Sequence, residues 1–193
     1  MAKRNTYQDF NRSILNKVKQ ILETTLKPKD IVIDATIGNG NDTLFLCNLA
    51  NKGHVYGFDI QAEAITKTKK LLNDNNKQNY TLYKESHDKM LEILPHLEKR
   101  VSGVLFNLGY LPKGDKTITT SYKTSVKAIE HSLKLLNNEG ICLIVIYPGH
   151  KEGKKEDIQI NKYLQTINKN YEVNYYHNTD NKEAPYLVMI KRS

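Results

Sequence analysis

The sequence predicts a doubly wound α/β domain, a mostly parallel sheet of seven strands with helices on both faces and an antiparallel edge strand. Three observations predict it. Short apolar runs alternate with stretches of helical periodicity, the pattern of successive βα units. A glycine-bearing turn, Gly38 to Asn41, joins the first apolar run directly to a helix. The last two runs are linked by about nine residues containing Pro185, which suits an antiparallel hairpin better than a crossover helix.

The elements follow in order. Ile14, Val18, Ile21 and Leu22 fall on one face of an N-terminal helix, within residues 1–27, that Pro28 stops. Ile31 to Thr36 is a buried strand, and Asn41 or Asp42 is expected to cap the helix carrying Leu44, Phe45 and Leu49. His54 to Asp59 reads as strand two, followed by a helix marked by Ala64, Ile65, Thr68, Leu71 and Leu72. Strand three is Tyr80 to Tyr83, and Leu91, Leu94 and Leu97 mark a short helix behind it. Val101 to Phe106 is strand four. Ser125 to Asn137 is a helix with Val126, Ile129, Leu133 and Leu136 on one face. A turn at Asn138-Glu139-Gly140 leads into strand five, Ile141 to Tyr147. Ile158, Leu164 and Ile167 lie on a later helix, before strands at Tyr171 to Tyr176 and Tyr186 to Lys191.

A chain of 193 residues with 39% hydrophobic and 26% charged residues suits one soluble domain, spanning 1–193, with a sizeable core. No run is long and apolar enough for a membrane span, and the first residues lack the apolar segment of a secretory signal. Cys47 and Cys142 each sit in an apolar segment and are not spaced as metal ligands, so no metal is expected. Both read as reduced core residues of a cytoplasmic protein. The net charge of +8 favours a polyanionic partner such as nucleic acid. Most of the excess is Lys in a chain also rich in Asn, Ile and Tyr, so a compositional bias explains the charge as readily.

The strongest constellation is Asp34-Ala35-Thr36-Ile37-Gly38-Asn39-Gly40-Asn41-Asp42. Glycines after the first strand let the backbone turn sharply and approach a ligand. In such sheets ligands bind outside the carboxyl ends of the strands. A dinucleotide fingerprint needs a third glycine at position 43, where this chain has Thr43. An acidic residue leading into Gly-x-Gly is instead the pattern of enzymes that use S-adenosyl-L-methionine. Asp59, at the end of strand two, is placed to accept ribose hydroxyls, with Gln61 beside it. Ser86 and His87, after strand three, stand where such enzymes contact adenine. The candidate cofactor-binding residues are therefore Asp34, Gly38, Asn39, Gly40, Asn41, Asp42, Asp59, Gln61, Ser86 and His87. The structural alternative is an ordinary turn at Gly38 and Gly40, with Asp59 capping the next helix.

Strand four ends in Asn107-Leu108-Gly109-Tyr110-Leu111-Pro112. Many amino-group methyltransferases carry Asn/Asp-Pro-Pro-Tyr/Phe at this point. There an Asn oxygen and a backbone carbonyl accept hydrogen bonds from the amine, and the aromatic ring stacks on the base. Here Leu108-Gly109 replaces the two prolines. Together with the Asp34–Asp42 motif, Asn107-Leu-Gly-Tyr-Leu-Pro-Lys-Gly-Asp-Lys116, Thr119-Thr120 and Tyr147-Pro-Gly-His150 resemble a bacterial family long labelled rRNA methylases. The resemblance spans nearly the whole chain. It implies a Rossmann-like class I methyltransferase fold and transfer of a methyl group to the amine of 5-aminomethyl-2-thiouridine at the tRNA wobble position. It also implies catalytic roles for Asn107 and Tyr110. Leu108, Gly109, Lys113, Asp115, Lys116, Thr119, Thr120, Tyr147 and His150 are the substrate-side candidates. The implied partner is the tRNA anticodon loop, and a homodimer would widen the surface that binds it. An rRNA base or a small amine as acceptor, and a non-catalytic S-adenosylmethionine-binding RNA factor, are the competing readings.

Overall fold

The structure, a computed structural model, describes the backbone of residues 6–109, 122–167, 169–177 and 180–193, and side chains from residue 11 onward. Its helices are α1 (Thr6–Thr25), α2 (Asn41–Leu49), α3 (Ala62–Asp74), α4 (Met90–Ile93), α5 (Tyr122–Leu135) and α6 (Lys151–Ile167). The strands are β1 (Ile31–Asp34), β2 (His54–Phe58), β3 (Tyr80–Tyr83), β4 (Val101–Leu108), β5 (Leu136–Ile146), β6 (Tyr171–Tyr176) and β7 (Tyr186–Arg192). They form one sheet in the order β3-β2-β1-β4-β5-β7-β6. The first five strands in that order run parallel. β7 runs antiparallel to both β5 and β6, so the expected hairpin closes the sheet with its reversed strand one place in from the edge.

The strands separate two apolar layers because successive side chains point to opposite faces. Val32, Leu105, Leu143 and Val145 pack with Ile14, Val18 and Leu22 of α1, Leu46 of α2 and Leu72 of α3. Ile33, Phe106, Ile144 and Ile146 pack on the other face with Met90 of α4, Ala128, Ile129 and Leu133 of α5, and Ile160 and Leu164 of α6. Cys47 and Cys142 are buried free thiols, one in each layer. Burial pushes both up to about 12, which leaves them unreactive at neutral pH.

Four local expectations are corrected. Helix α2 is capped by Gly40 in a left-handed conformation, with no side-chain cap from Asn41 or Asp42. β5 starts at Leu136 rather than Ile141, because Leu136 pairs with Val101 before a register shift brings Ile141 opposite Gly103. The expected Asn138-Glu139-Gly140 turn is therefore an irregularity inside a strand. The single helix expected around Leu91–Leu97 is one α-turn between two 3₁₀ turns, His87–Lys89 and Pro95–Leu97, since Pro95 has no N–H to continue the ladder. Ile158 is 60% exposed. The buried stripe of α6 is Gly153, Glu156, Ile160 and Leu164, and its polar first half hid it from an apolar pattern.

Candidate active site

β1 and β4 are neighbours, yet the chain leaves β1 toward α2 on one face and leaves β4 toward α5 on the other. The crevice opens where the connections diverge, beyond the carboxyl ends of these two strands. The loop from Ala35 to Gly40 forms one wall. Gly38 and Gly40 have φ of 55° and 80°, a region that side chains disfavour, so the turn depends on glycine at both places. A Cβ on Gly40 would lie 2.5 Å from Thr68 Oγ1 of α3. Gly40 therefore also lets α2 begin against α3.

Asp34 is the buried anchor of this wall. It is 1% exposed, accepts the Thr43 hydroxyl at 2.6 Å, and accepts the Thr36 amide at 3.1 Å. Thr43, which occupies the place of a third glycine, supplies that hydroxyl. Burial pushes the Asp34 carboxyl up to about 7, and the negative charge of Asp42 adds to the shift, against the pull of its two hydrogen bonds.

Asp59 follows β2 and is half-buried. Its oxygens accept the Gly38 amide and the Gln61 amide, both at 2.9 Å. A carboxylate offers about four lone-pair sites, so two remain for a diol. Gln61 is the N-cap residue of α3, and its side chain makes no cap bond. This carboxylate beside a left-handed glycine turn fits the ribose end of S-adenosyl-L-methionine. The group would be held by Asp59, Gln61 and the loop from Gly38 to Asn41. When bound it supplies a methyl group activated by a sulfonium.

Ser86 precedes the 3₁₀ turn after β3. His87 is buried, with Nδ1 3.1 Å from the Ala35 carbonyl and its ring edge-on to Phe106. Facing a carbonyl, Nδ1 carries the proton, and burial holds the ring's pKa below the ordinary histidine value. The geometry makes His87 a brace between the end of β1 and the segment after β3.

The opposite wall is the end of β4. The Asn107 amide donates to Thr36 Oγ1 at 2.7 Å, tying the two walls together. Asn107 Nδ2 donates to Asp42 Oδ2 at 3.2 Å, and Asn107 Oδ1 accepts the Tyr147 hydroxyl at 2.8 Å. A carboxylate only accepts, so the amide group of Asn107 has one orientation, with its oxygen on the Tyr147 side. Tyr147 Oη also lies 2.9 Å from Asn11 Oδ1, which brings α1 to the site. Leu108 is buried at the strand end, and Gly109 donates back to the Asn107 carbonyl at 2.9 Å. A Cβ on Gly109 would sit 3.5 Å from the Tyr147 ring, so this turn passes directly against that ring.

His150 lies just before α6, and its Nδ1 accepts the Gly153 amide at 3.0 Å. It therefore acts as a helix N-cap. Burial lowers its pKa, and protonating Nδ1 would break the cap. Gly153 is required here, because a Cβ would fall 2.0 Å from the Tyr147 carbonyl. Tyr110, Lys113, Asp115, Lys116, Thr119 and Thr120 lie outside the described residues. Sequence reasoning missed Thr36, Thr43 and Asn11 as parts of the site. Thr36 and Thr43 stand within or beside the Gly-loop motif, where their hydroxyls were the available signal. Nothing local marked Asn11. Among the described residues no cluster of ligands fit for a metal is present, and no helix is long and apolar enough to cross a membrane.

This topology and this crevice define a member of the S-adenosylmethionine-dependent methyltransferase class. Within it, the chain belongs to the family described as "Putative rRNA methylase", whose profile matches residues 55–191. A Clostridium thermocellum crystal structure described as a putative rRNA-methylase superposes with a TM-score of 0.87 at 37% identity, covering 93% of this chain and 97% of that one. A Streptococcus mutans methyltransferase homologue, solved with S-adenosylhomocysteine, superposes with a TM-score of 0.83 at 30% identity over 100% of both chains. In Arabidopsis thaliana, the chloroplastic tRNA (mnm5s2U34)-methyltransferase is 38% identical over 158 residues. That match covers 76% of this chain and 57% of the plant protein, so the chain spans little more than half of that relative.

Proposed function

We propose that this protein transfers the methyl group of S-adenosyl-L-methionine to the primary amine of 5-aminomethyl-2-thiouridine at the tRNA wobble position, giving 5-methylaminomethyl-2-thiouridine. The observation that carries the reading is the single orientation imposed on Asn107, whose Oδ1 faces Tyr147 while Asp42 holds Nδ2. An amide oxygen has two lone pairs, so Oδ1 retains one for an acceptor N–H. The name of the Arabidopsis relative supports the substrate.

The chemistry asks for alignment and loss of one proton more than for a strong base, because the sulfonium methyl is already activated. Asn107 Oδ1 and the Leu108 carbonyl align the amine, and Tyr110 stacks on or shapes the base. Asp59, Gln61 and the glycine loop hold the cofactor, with Ser86 and His87 near its adenine end. Lys113, Asp115, Lys116, Thr119 and Thr120 belong to the segment that meets the nucleotide. The RNA presents a splayed single-stranded base from the anticodon loop, with phosphate contacts positioning it. A cytoplasmic site of action and a homodimer that widens the RNA surface complete the reading.

The test mixes purified protein and labelled S-adenosylmethionine with tRNA from cells lacking this gene, then separates the nucleosides by mass spectrometry. The expected product is the N-methyl form of the aminomethyl nucleoside. Asn107→Ala is expected to keep near-normal cofactor affinity and to lose turnover by on the order of 100-fold. No methyl in tRNA despite cofactor binding would overturn the substrate and move the acceptor to rRNA, as the family's description suggests.

A further inference from the structure

We infer that Asp42 is the carboxylate that receives the positive charge of the acceptor and takes its proton. Asp42, a cofactor-side candidate in the sequence, sits in the first turn of α2 at the rim of the crevice, where its bond to Asn107 places it on the acceptor side instead. Its Oδ2 holds Asn107 Nδ2 at 3.2 Å, while its Oδ1 makes no hydrogen bond or ion pair among the described residues. The carboxylate is thus fixed against the same amide that presents Oδ1 to the amine. Three other titratable groups near the crevice are committed elsewhere: His150 Nδ1 caps α6, His87 Nδ1 faces the Ala35 carbonyl, and Asp59 holds the Gly38 and Gln61 amides at the ribose end. The buried Asp34 carboxyl behind the loop is already raised, with the charge of Asp42 as its second cause, so a cation arriving here relieves an existing repulsion.

This rests on the amine-methylation reading and names its proton acceptor. A primary amine reaches the site mainly as R–NH₃⁺, whose nitrogen has no free pair. One N–H bond breaks, an O–H bond forms on Asp42 Oδ1, and the electron pair stays on nitrogen. A cation and an anion become two neutral groups. The pair then serves methyl transfer, and the product regains its charge as a secondary ammonium.

The test uses the full-length protein and two probes that differ in charge at the reacting centre. S-adenosylhomocysteine is neutral at sulfur, whereas sinefungin carries an amine in place of the sulfonium methyl. By calorimetry near pH 7, Asp42→Asn is expected to bind S-adenosylhomocysteine within about twofold of wild type and sinefungin about tenfold or more weakly. Equal loss for both probes would place Asp42 in the cofactor site or the fold and overturn the inference, as would no loss for either. In the tRNA assay, turnover by Asp42→Asn is expected to recover as pH rises toward the amine's own pKa; a profile parallel to wild type would also overturn it. If Asp42→Asn shows the sinefungin effect but the wild-type protein methylates no aminomethyl nucleoside, the substrate reading alone is overturned.

Discussion

At the scale of single residues, the site is organised by carboxylates with different surroundings. Asp34 is fully enclosed and bonded to Thr43 and Thr36, whereas Asp42 and Asp59 stand at the rim. The Asp34 carboxyl ionises near 3.8 in an unfolded chain and at about 7 in the folded one. Between those values the folded protein holds a proton that the unfolded chain has released. The stability contributed by that proton is full below pH 4, falls as pH rises to about 7, and is level above. Asp34→Asn removes the titration. The difference between wild-type and variant stability, read by denaturant unfolding from pH 4 to 8, is expected to decline with pH by on the order of a few kcal/mol. Parallel curves would show that Asp34 keeps one charge state throughout. The acidic residue and its glycines were legible because all lie within one short motif. The Thr43 partner was legible only as a missing glycine, since what a hydroxyl bonds depends on what folds over it.

At the scale of elements, Gly40 shows how one residue serves two demands. Its φ of 80° turns the loop, and the absence of a Cβ lets Thr68 of α3 close on the start of α2. Gly40→Ala is expected to cost roughly 2–4 kcal/mol of unfolding free energy, from overpacking and left-handed strain together. Adding Thr68→Ala should recover the packing share and leave about 1 kcal/mol from the backbone. Additive losses in that double-mutant cycle would dissociate Gly40 from α3. Most strands were legible from their β-branched and aromatic runs. The start of β5 was not, because Leu136 belongs to the sheet only through its pairing with Val101 across a register shift. The buried stripe of α6 escaped for a related reason. Glu156 is buried through a short hydrogen bond from Ser125 of α5, and that partner lies 31 residues away.

At the scale of the molecule, a basic protein carries an acidic crevice. The chain's formal charge is +8, yet Asp42 stands at the crevice rim against Asn107, with Asp59 at the end of β2 and Asp34 buried behind the loop. Positive surface charge attracts polyanions, and a carboxylate beside a cation offsets its charge. Affinity for tRNA is therefore expected to fall at least tenfold between about 50 and 200 mM salt, through counterion release. Affinity for S-adenosylhomocysteine, measured in the same series, should barely change. A flat salt dependence for tRNA would mean that the lysine excess is compositional.

The order of apolar runs, the glycine turn and the short last connection by themselves determined a doubly wound sheet with a crevice after its first strand. Those signals are local, because hydrophobic period and glycine conformation act within a few residues. Tertiary structure alone decided that Asn107 of β4, Asp42 of α2, Tyr147 beyond β5 and Asn11 of α1 share one hydrogen-bonded chain. Hydrogen bonds join side chains across any separation in sequence, here up to 136 residues, and no periodicity records them.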